Sequence, residues 1–360
     1  MSKLRLGVIG AGAWAMAQHL PAFAARSDEV EPVIVNRRDP AMLREVQERF
    51  GFDRATTDWQ EVIDAEPDLV VIASTASGHY AQAKAALQAG AHVLCEKPFV
   101  FKAEEAWDLV ETAAANDRHL MIAYGYNHMP ITREAKRLME TDGGIGGIEQ
   151  TSIHMASHIR DLLRSGAAYL GDKPEQAPKH ESWGDPATSG GGYGQGQLTH
   201  TLALALWLTN LRAAEVFSLM YTPDDLPVEF HDALTVRYTN GGVGSVAGAA
   251  CHQHERFQVQ VRAIGHDGQI HVDLERELVW RFRPGRDDIR VPITPELTTW
   301  SFARVVDDFI DLAAGRTTEN TSPGELGARV VEVLDAAYRS AASRTISTVD
   351  TDLGAGFVPG

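Results

Sequence analysis

Near its beginning the chain reads Leu4-Arg5-Leu6-Gly7-Val8-Ile9-Gly10-Ala11-Gly12-Ala13-Trp14-Ala15. The apolar start of this segment predicts a β-strand, and the pattern Gly-x-Gly-x-x-Ala then leads into a helical pattern. Gly10 permits a tight turn, Gly12 lets the backbone approach a pyrophosphate, and Ala15 lets the helix pack closely against the strand. The segment therefore predicts a dinucleotide site at the N-terminus of that helix, lined also by Ala13 and Trp14.

The rest of the first third of the chain alternates short apolar runs with helical patterns. The run Leu69-Val70-Val71-Ile72-Ala73 is apolar at every position, as expected for a central parallel strand that helices cover on both faces. We therefore predict an α/β Rossmann domain, a doubly wound parallel sheet, over residues 1–123. The predicted strands are residues 4–9, 30–36, 69–73, 91–94 and 119–124, and the predicted helices are residues 13–25, 41–50, 79–88 and 103–116.

Residues 124–360 have a different pattern, in which apolar and polar positions alternate along short strands. This alternation predicts an α+β C-terminal domain with a large, mostly antiparallel open sheet, which we expect to bind substrate and to oligomerise. A polar, Gly- and Pro-rich loop over residues 165–192 and a buried apolar helix over residues 198–208 interrupt the strands. The predicted strands are residues 148–157, 216–221, 233–238, 243–249, 257–264, 269–274 and 278–282, with helices following at residues 302–314 and 325–342.

Composition and charge exclude several classes of protein. With 360 residues, of which 44% are hydrophobic and 23% charged, the chain is expected to fold into about two globular domains. The net charge of −16 disfavours binding to nucleic acid, so an anionic ligand must be captured locally. Only Cys95 and Cys251 are present, and neither a signal peptide nor a membrane-spanning stretch is visible. We expect a cytoplasmic protein without a membrane partner.

Polar residues follow two further strands, at the edge of the sheet where ligands of such folds bind. The second strand ends in Asn36-Arg37-Arg38, where an acidic residue would hold the ribose hydroxyls of NAD. A guanidinium at Arg37 suits the 2′-phosphate of NADP and favours NADP over NAD; a solvated charged turn is the alternative. The other expected cofactor contacts, after the apolar central strand, are Ser74, Thr75 and His79.

Two more motifs add reactive side chains. The fourth predicted strand runs into Cys95-Glu96-Lys97-Pro98, and a glycine-rich segment that begins at Gly190 leads to His200 on an apolar helix. Together with the Gly-x-Gly-x-x-Ala turn and a helix that begins with a histidine, these motifs resemble the Gfo/Idh/MocA oxidoreductases over nearly the whole chain. The resemblance implies an NAD(P)-dependent enzyme that transfers a hydride between nicotinamide and a ring-hydroxyl carbon of a sugar or cyclitol.

The resemblance also implies roles for individual residues. Lys97 is expected near the nicotinamide and the reacting hydroxyl, where an ammonium stabilises the negative charge that develops on oxygen. Glu96 would anchor the lysine or the cofactor, and His200 would act as the acid/base. One position departs from the family pattern, because Gly196 stands where an Asp is expected. Gln197 lies on the same helical face as His200 and can orient its imidazole, but it carries no charge.

A set of basic residues in the second half of the chain could capture an anionic group. Alternate positions of one predicted strand and its exit place three of them on one face, and the same holds for a second strand. Each group could equally be the solvated polar face of a sheet, and the lack of a close-spaced ligand motif leaves no metal expected. The two groups are His154, His158 and Arg160, and His252, His254 and Arg256. The adjoining loop adds Arg164 and His180, and the remaining expected substrate contacts are Tyr126, His128 and Tyr193.

Three functions stay open on the sequence alone. The first is a sugar or cyclitol dehydrogenase, in which Lys97 polarises the alcohol and His200 takes its proton. The second is a glycoside hydrolase with retained NAD, which oxidises a ring hydroxyl transiently and eliminates the aglycone. Its acid/base groups would be the surplus histidines together with Tyr126 and His128. Arg160 and Arg164 would suit an anionic sugar such as a sulfoquinovoside or uronide. The third is a non-catalytic, cofactor-binding regulator. In each case the open sheet predicts a homodimer or homotetramer.

Overall fold

The computed structural model describes residues 2–166, 181–252 and 257–357. In this part of the chain the N-terminal strands are β1 (Leu4–Ile9), β2 (Val30–Asn36), β3 (Arg54–Thr56), β4 (Leu69–Ile72), β5 (His92–Cys95) and β6 (Leu120–Ile122). They form a parallel sheet in the order β3-β2-β1-β4-β5-β6. Because the chain crosses from one side of β1 to the other between β3 and β4, a crevice opens at the carboxyl ends of β1 and β4. The predicted doubly wound sheet is confirmed.

Helices cover both faces of this sheet. The helices predicted over residues 41–50, 79–88 and 103–116 are present with bounds within one residue of the expected ones, whereas the short helix Gln60–Asp64 was not predicted. The described helices of this half are α1 (Leu20–Ala24), α2 (Pro40–Phe50), α3 (Gln60–Asp64), α4 (His79–Gln88) and α5 (Ala103–Ala115). The strand β3 was not predicted, because its three residues begin with an exposed arginine and carry no apolar period.

The segment after the glycine turn differs from the continuous helix expected over residues 13–25. A wider π-helical turn over Ala15–His19 comes first, and α1 begins only after it. In this arrangement Trp14 and His19 both reach the carboxylate of Glu96, which lies beyond β5. The wider turn therefore places side chains of the first helical segment at the carboxyl edge of the sheet.

The second sheet contains nine strands within the described residues, in the order β14-β13-β12-β11-β7-β10-β9-β8-β15. Neighbours are antiparallel except β7 and β10, which run parallel, so the predicted large and mostly antiparallel sheet is confirmed. The two-residue strands β14 and β15 were not predicted. The strands are β7 (Ile148–Ser157), β8 (Ala213–Tyr221), β9 (His231–Tyr238), β10 (Val243–Ala250), β11 (Gln258–Gly265), β12 (Gly268–Asp273), β13 (Leu278–Phe282), β14 (Ile289–Arg290) and β15 (Ser347–Thr348).

Helices cover one face of the second sheet, and the other face meets solvent. Buried and exposed residues alternate along β9 and β10, as expected for strands with one covered face and one face in solvent. The expected buried helix over residues 198–208 is present as α10, and nearly all of its side chains are buried. The described helices of this half are α6 (Pro130–Glu140), α7 (Arg160–Ser165), α8 (Glu181–Gly184), α9 (Pro186–Ser189), α10 (Thr199–Thr209), α11 (Pro295–Thr298), α12 (Ala303–Ala313) and α13 (Gly324–Ser343). Among the helices that the structure describes, none has the length and apolarity needed to cross a bilayer.

Candidate active site

A cleft of about 1530 Å³ lies where the carboxyl ends of the first sheet meet residues from the second half of the chain. It is larger than the pockets that hold one small ligand, which are typically about 300–1,000 Å³. Gly12 and Ser74 line it from the first sheet, and Lys97, Tyr126 and His200 line it as well. The cleft therefore has room for a dinucleotide and a second molecule beside it.

The glycine turn leaves open space where a pyrophosphate would lie. Gly10 has a φ of +86°, and a Cβ there would lie 2.4 Å from the backbone of Ser74, so only glycine fits. At Gly12 the nearest atom to such a Cβ is the Gly10 carbonyl oxygen, at 3.9 Å. A side chain at Gly12 would thus fill the cleft itself. This cradle fits the diphosphate of a dinucleotide at the start of a helical segment.

The residues at the end of β2 and directly after it differ in whether their side chains have hydrogen-bond partners among the described residues. Asn36 is buried and donates to the Thr56 carbonyl at 3.2 Å. Arg37 is half-buried, and its Nη1 donates to the carbonyl of Ala11 at 2.6 Å, so its guanidinium supports the glycine turn. Arg38 lines the cleft with an exposed side chain. Both arginines line the cleft, and they differ in that the Arg37 guanidinium already has an internal partner whereas the Arg38 side chain is exposed.

His79 and Ser74 support the residues around the cleft. The Nδ1 atom of His79 lies 2.9 Å from the Pro98 carbonyl oxygen, and its Nε2 lies 3.2 Å from that of Ser74. Burial lowers the pKa of His79, which favours a neutral imidazole. Ser74 donates its hydroxyl to Gln82 at 2.6 Å, and Thr75 lines the cleft next to it. His79 thereby ties the end of β4 to the segment that follows Lys97.

Glu96 is a buried anchor between the two sides of the crevice. Its Oε1 accepts hydrogen bonds from Trp14 Nε1 at 2.7 Å and His19 Nε2 at 2.8 Å, and its Oε2 accepts from the Lys97 backbone at 3.0 Å. Burial opposes its ionisation, yet the His19 hydrogen bond and the nearby positive charges hold the pKa of Glu96 below its ordinary value. The carboxylate thus fixes the backbone from which the Lys97 side chain extends.

Lys97 extends across the cleft to the second half of the chain. Its Nζ donates to the carbonyl oxygen of Gly196 at 2.9 Å and lies 4.9 Å from the centre of the Trp183 ring. Burial lowers the pKa of Lys97, and the charge of Glu96 opposes that shift. The ammonium is therefore held in one place, and it retains donor capacity because a lysine carries three N–H bonds.

His200 lines the same cleft from the first turn of α10. The rings of Tyr126 and Tyr124 flank its imidazole edge-on, at centroid distances of 5.5 and 6.3 Å. Its Nδ1 is buried and has no hydrogen-bond partner among the described residues. Burial and then the charge of Lys97 bring the pKa of His200 well below its ordinary value, so the imidazole is neutral at pH 7. Gln197, also buried, lines the cleft one turn earlier.

The expected substrate contacts separate into two groups. Tyr126 and His158 line the cleft, and His158 meets Phe257 edge-on at 4.6 Å. The others that the structure describes have partners elsewhere and do not line it. His154 contacts Gln258 at 3.3 Å, Arg160 stacks on Phe230, Arg164 pairs with Asp225, and His128 is buried against Asp308 and Ser322.

Tyr193 is also inside the protein. Its hydroxyl donates to the Met155 carbonyl at 3.2 Å and accepts from Ser157 at 3.1 Å. His252 is exposed and does not line the cleft, whereas His180, His254 and Arg256 lie outside the described residues. In the described part of the chain no group of three or more His, Cys, Asp and Glu side chains could hold a metal ion.

Several residues that line the cleft belong to no sequence motif, so the sequence analysis did not identify them. Trp183 lines the cleft from the short helix α8 and Trp300 from an irregular segment, and Phe257 and Glu277 line it from the positions just before β11 and β13. The one available signal was Gly196, because a glycine in place of a larger residue leaves space that another side chain can fill. That side chain is Trp183.

Comparisons with known proteins agree with this architecture. Residues 4–124 match the model of an oxidoreductase family described as an NAD-binding Rossmann fold, and residues 168–351 match the C-terminal alpha/beta domain of the same family. Levoglucosan dehydrogenase from Pseudarthrobacter phenanthrenivorans is 27% identical over 311 residues, which cover 77% of this chain and 75% of that protein. D-glucoside 3-dehydrogenase from Escherichia coli is 31% identical over 153 residues, or 42% of this chain and 43% of that protein.

Solved structures share the fold over almost the full length. Levoglucosan dehydrogenase in complex with NADH and L-sorbose has a TM-score of 0.79 at 22% identity, covering 97% of this chain and 99% of that chain. An oxidoreductase domain protein from Kribbella flavida has a TM-score of 0.81 at 22% identity, with coverage of 97% and 100%. With both of its domains matched, the chain belongs to the Gfo/Idh/MocA family of oxidoreductases and carries the family's NAD-binding Rossmann domain.

Proposed function

We propose that this oxidoreductase is an NAD(P)-dependent dehydrogenase acting on a ring hydroxyl of a neutral sugar or cyclitol. The observation that carries the proposal is the placement of Lys97 and His200 on one cleft, next to the glycine turn that fits a dinucleotide. Relatives named levoglucosan dehydrogenase and D-glucoside 3-dehydrogenase support a sugar as the substrate class. In this proposal residues 1–123 bind the dinucleotide, and residues 124–360 supply most of the substrate contacts.

The two side chains divide the proton and charge handling between them. A bound nicotinamide accepts or returns a hydride. Lys97 donates one N–H bond to Gly196 and directs another at the substrate oxygen, where its charge stabilises a developing alkoxide. His200 is neutral and therefore able to accept the hydroxyl proton as oxidation begins. Gln197 offers an amide to a neighbouring hydroxyl.

The charged side chains that the second half of the chain contributes to the cleft favour a neutral substrate. Arg160 and Arg164, which the sequence suggested for an anionic sugar, are stacked on Phe230 and paired with Asp225 away from the cleft. Among the described residues that line it from the second half, apart from the histidines, the charged side chain is that of Glu277. A carboxylate there repels an anionic group and accepts hydrogen bonds from hydroxyls.

The glycoside hydrolase alternative has less support from this arrangement. It requires additional acid/base groups beside the reacting ring, and the surplus histidines were the candidates. Of those that the structure describes, His158 lines the cleft whereas His154 and His252 do not. A purely regulatory protein would not need Lys97 and His200 to line the same cleft. We therefore favour the simple dehydrogenase.

NADP is the proposed cofactor, with Arg38 rather than Arg37 as the residue that binds its 2′-phosphate. Both arginines line the cleft, but the Arg37 guanidinium already donates to the Ala11 carbonyl, whereas the Arg38 side chain is exposed. Asp39, the nearest carboxylate, accepts hydrogen bonds from the backbone of Ala41 and Met42 as the N-cap of α2. That engagement limits its use for the ribose hydroxyls that NAD would present.

We also propose that the open face of the second sheet pairs with a second copy of the chain. Small residues such as Ala233 and Ala247 lie side by side at its centre, and Leu219 and Tyr221 toward one edge are 61% and 58% exposed. None of the helices that the structure describes covers this face. An exposed sheet face that carries small and apolar side chains can be complementary to itself across a two-fold axis.

One assay separates the three candidate functions. Purified protein is incubated with NAD or NADP against free sugars, cyclitols, anhydrosugars and chromogenic glycosides. Net growth of reduced-cofactor absorbance on a neutral sugar supports the dehydrogenase. Aglycone release without net reduction would support the glycosidase, and cofactor binding without either signal would support the regulator.

The role of Lys97 has its own test. Lys97→Ala should lower kcat by at least about a hundredfold, because it removes the donor that meets the developing alkoxide, while dinucleotide binding persists. Lys102→Ala, at a neighbouring lysine whose side chain is 69% exposed, is the matched control and should behave like the wild type. Near-normal turnover of Lys97→Ala would remove this residue from the mechanism.

A further inference from the structure

Trp183 packs directly against the backbone of Gly196. A Cβ atom on Gly196 would lie 2.8 Å from Cζ3 and 3.2 Å from Cε3 of the Trp183 indole. Real Cβ atoms do not approach other heavy atoms to 2.8 Å, so any side chain at position 196 would displace the indole. Trp183 can therefore occupy its present position only because residue 196 is a glycine. The backbone conformation does not require a glycine at this position, because Gly196 lies within a helical turn (Gly194–Leu198) and does not have a positive φ.

The same indole lies over the ammonium of Lys97. The Nζ atom is 4.9 Å from the Trp183 ring and 2.9 Å from the Gly196 carbonyl oxygen. A cation is attracted to the face of an indole at this distance, and the attraction grows as water is excluded. Lys97, the Gly196 carbonyl and Trp183 therefore form one three-membered contact, which joins residues far apart in the chain.

We propose that Trp183 is a positioning residue for Lys97. Its indole covers one side of the ammonium and keeps Nζ on the Gly196 carbonyl, so that the remaining N–H bonds point toward the substrate space of the cleft. The proposal rests on the proposed function in one respect, namely that Lys97 donates to the reacting oxygen. A long lysine side chain without this cover could adopt several rotamers, and few of them would present the ammonium at the reacting oxygen.

The first test removes the indole and then restores an aromatic face. Trp183→Ala should lower kcat by about 10- to 100-fold with a much smaller change in KM, because a misplaced donor costs transition-state stabilisation more than binding. Trp183→Phe should recover most of the lost turnover. The dissociation constants for NAD and NADP should stay at the wild-type values in both variants, which a general loss of structure would not allow.

The second test moves the indole without changing it. Gly196→Ala is compatible with a helical backbone, but its methyl group would push Trp183 away from Lys97, so kcat should fall as in Trp183→Ala. Phe lacks the benzo ring of the indole that the methyl group would meet, so Gly196→Ala combined with Trp183→Phe should be more active than Gly196→Ala alone. This recovery also keeps the proposal testable if Trp183→Ala fails to fold.

A readout that does not depend on turnover separates the proposal from the proposed function. Acetylation of Lys97 by acetic anhydride, followed by peptide mass spectrometry, should be faster in Trp183→Ala and in Gly196→Ala than in the wild type. If both variants keep wild-type kcat and wild-type acetylation rates, the positioning role is wrong. If Lys97→Ala itself keeps turnover while acetylation responds to Trp183, the contact is real and the proposed function fails instead.

Discussion

At the scale of single residues, the charge of Lys97 influences the protonation of His200. Burial of the imidazole and the charge of Lys97 both act against the imidazolium form, which lowers the pKa of His200 well below its ordinary value. Lys97 is buried too, and Glu96 is the nearby charge that favours its ammonium form. A neutral imidazole therefore stands beside a fixed ammonium, and this is the pairing that the proposed oxidation of an alcohol would use.

This coupling predicts a measurable shift at His200. Lys97→Met removes a positive charge that disfavours the imidazolium, so the pKa of His200 should rise, though burial should still hold it below the ordinary value of 6.5. The measurement is an NMR titration of ¹³C-labelled histidine, with the His200 signal assigned by its loss in His200→Gln. An unchanged midpoint in Lys97→Met would contradict the electrostatic coupling.

The two arginines after β2 give a second prediction for individual residues. Arg38→Ala should weaken NADP binding by about 10- to 100-fold, the value of a lost charge-assisted hydrogen bond, and leave NAD binding nearly unchanged. Arg37→Ala should weaken both dinucleotides, because its guanidinium holds the Ala11 carbonyl of the glycine turn. Calorimetric titration of each variant with both cofactors decides the matter. Equal losses of NAD and NADP affinity in Arg38→Ala would show that this residue does not contact the 2′-phosphate.

At the scale of elements, a buried carboxylate holds the glycine-rich segment that precedes α10. Glu229 accepts hydrogen bonds from the backbone of Gly192 at 2.8 Å and of Gly194 at 3.0 Å, and from the Tyr338 hydroxyl at 2.7 Å. A Cβ on Gly192 would lie only 2.0 Å from the Glu229 carbonyl oxygen, so the two backbones are in close contact. This clamp determines where Gly196 and His200 stand.

Glu229→Gln should therefore weaken both stability and activity. The Gln side chain has one carbonyl oxygen, and its amide nitrogen would face the backbone donors, which leaves buried N–H groups without an acceptor at a cost of about 1–3 kcal/mol in the free energy of unfolding. A lower kcat should accompany this loss, since the clamp orients the segment before His200. Urea denaturation and steady-state kinetics measure both effects, with exposed Glu149→Gln as the control. Wild-type values for Glu229→Gln would contradict the clamp.

The sequence predicted elements better than it predicted neighbours across the cleft. Strands β1, β2, β7 and β13 have the expected bounds, because their apolar patterns are local. Parity along β7 and its exit predicted one shared face for His154, His158 and Arg160, but β7 ends at Ser157. His158 lines the cleft, whereas His154 meets Gln258 of β11. Trp183 was not identified, since its contact with Lys97 depends on how the two halves of the chain pack.

Two buried polar residues also have hydrogen-bond partners that the sequence does not predict. The chemistry of Tyr193 and His128 suggests substrate binding, yet Tyr193 hydrogen-bonds to Ser157 and Met155 within the second half of the chain. His128 contacts Asp308 and Ser322, which come from the far end of the sequence. A single sequence does not reveal which polar side chains find such internal partners. The Glu-Lys-Pro motif was more informative, because its position after β5 fixes which edge of the sheet it occupies.

At the scale of the whole molecule, the two sheets differ in how many of their faces are covered. The first is covered on both faces and opens toward ligands at the carboxyl ends of its strands. The second is covered on one face, where α10 brings His200 to the cleft, and is bare on the other. Because the cleft and the bare face lie on opposite sides of this sheet, assembly through the bare face leaves the cleft accessible to substrate.

The bare face gives the last prediction. Ala247 of β10 lies between Ala233 of β9 and His154 of β7, so a long charged side chain there would stand in the middle of a two-fold contact. Light scattering after size exclusion should give the wild type at least twice the 39.2 kDa of the chain, and Ala247→Arg should halve the assembly, because an unpaired guanidinium in an apolar interface is strongly unfavourable. Ala114→Arg, at an exposed position of α5 on the first half, is the matched control and should keep the wild-type mass. A wild type that runs as a monomer, or an Ala247→Arg variant with an unchanged mass, would place the contact elsewhere or remove it altogether.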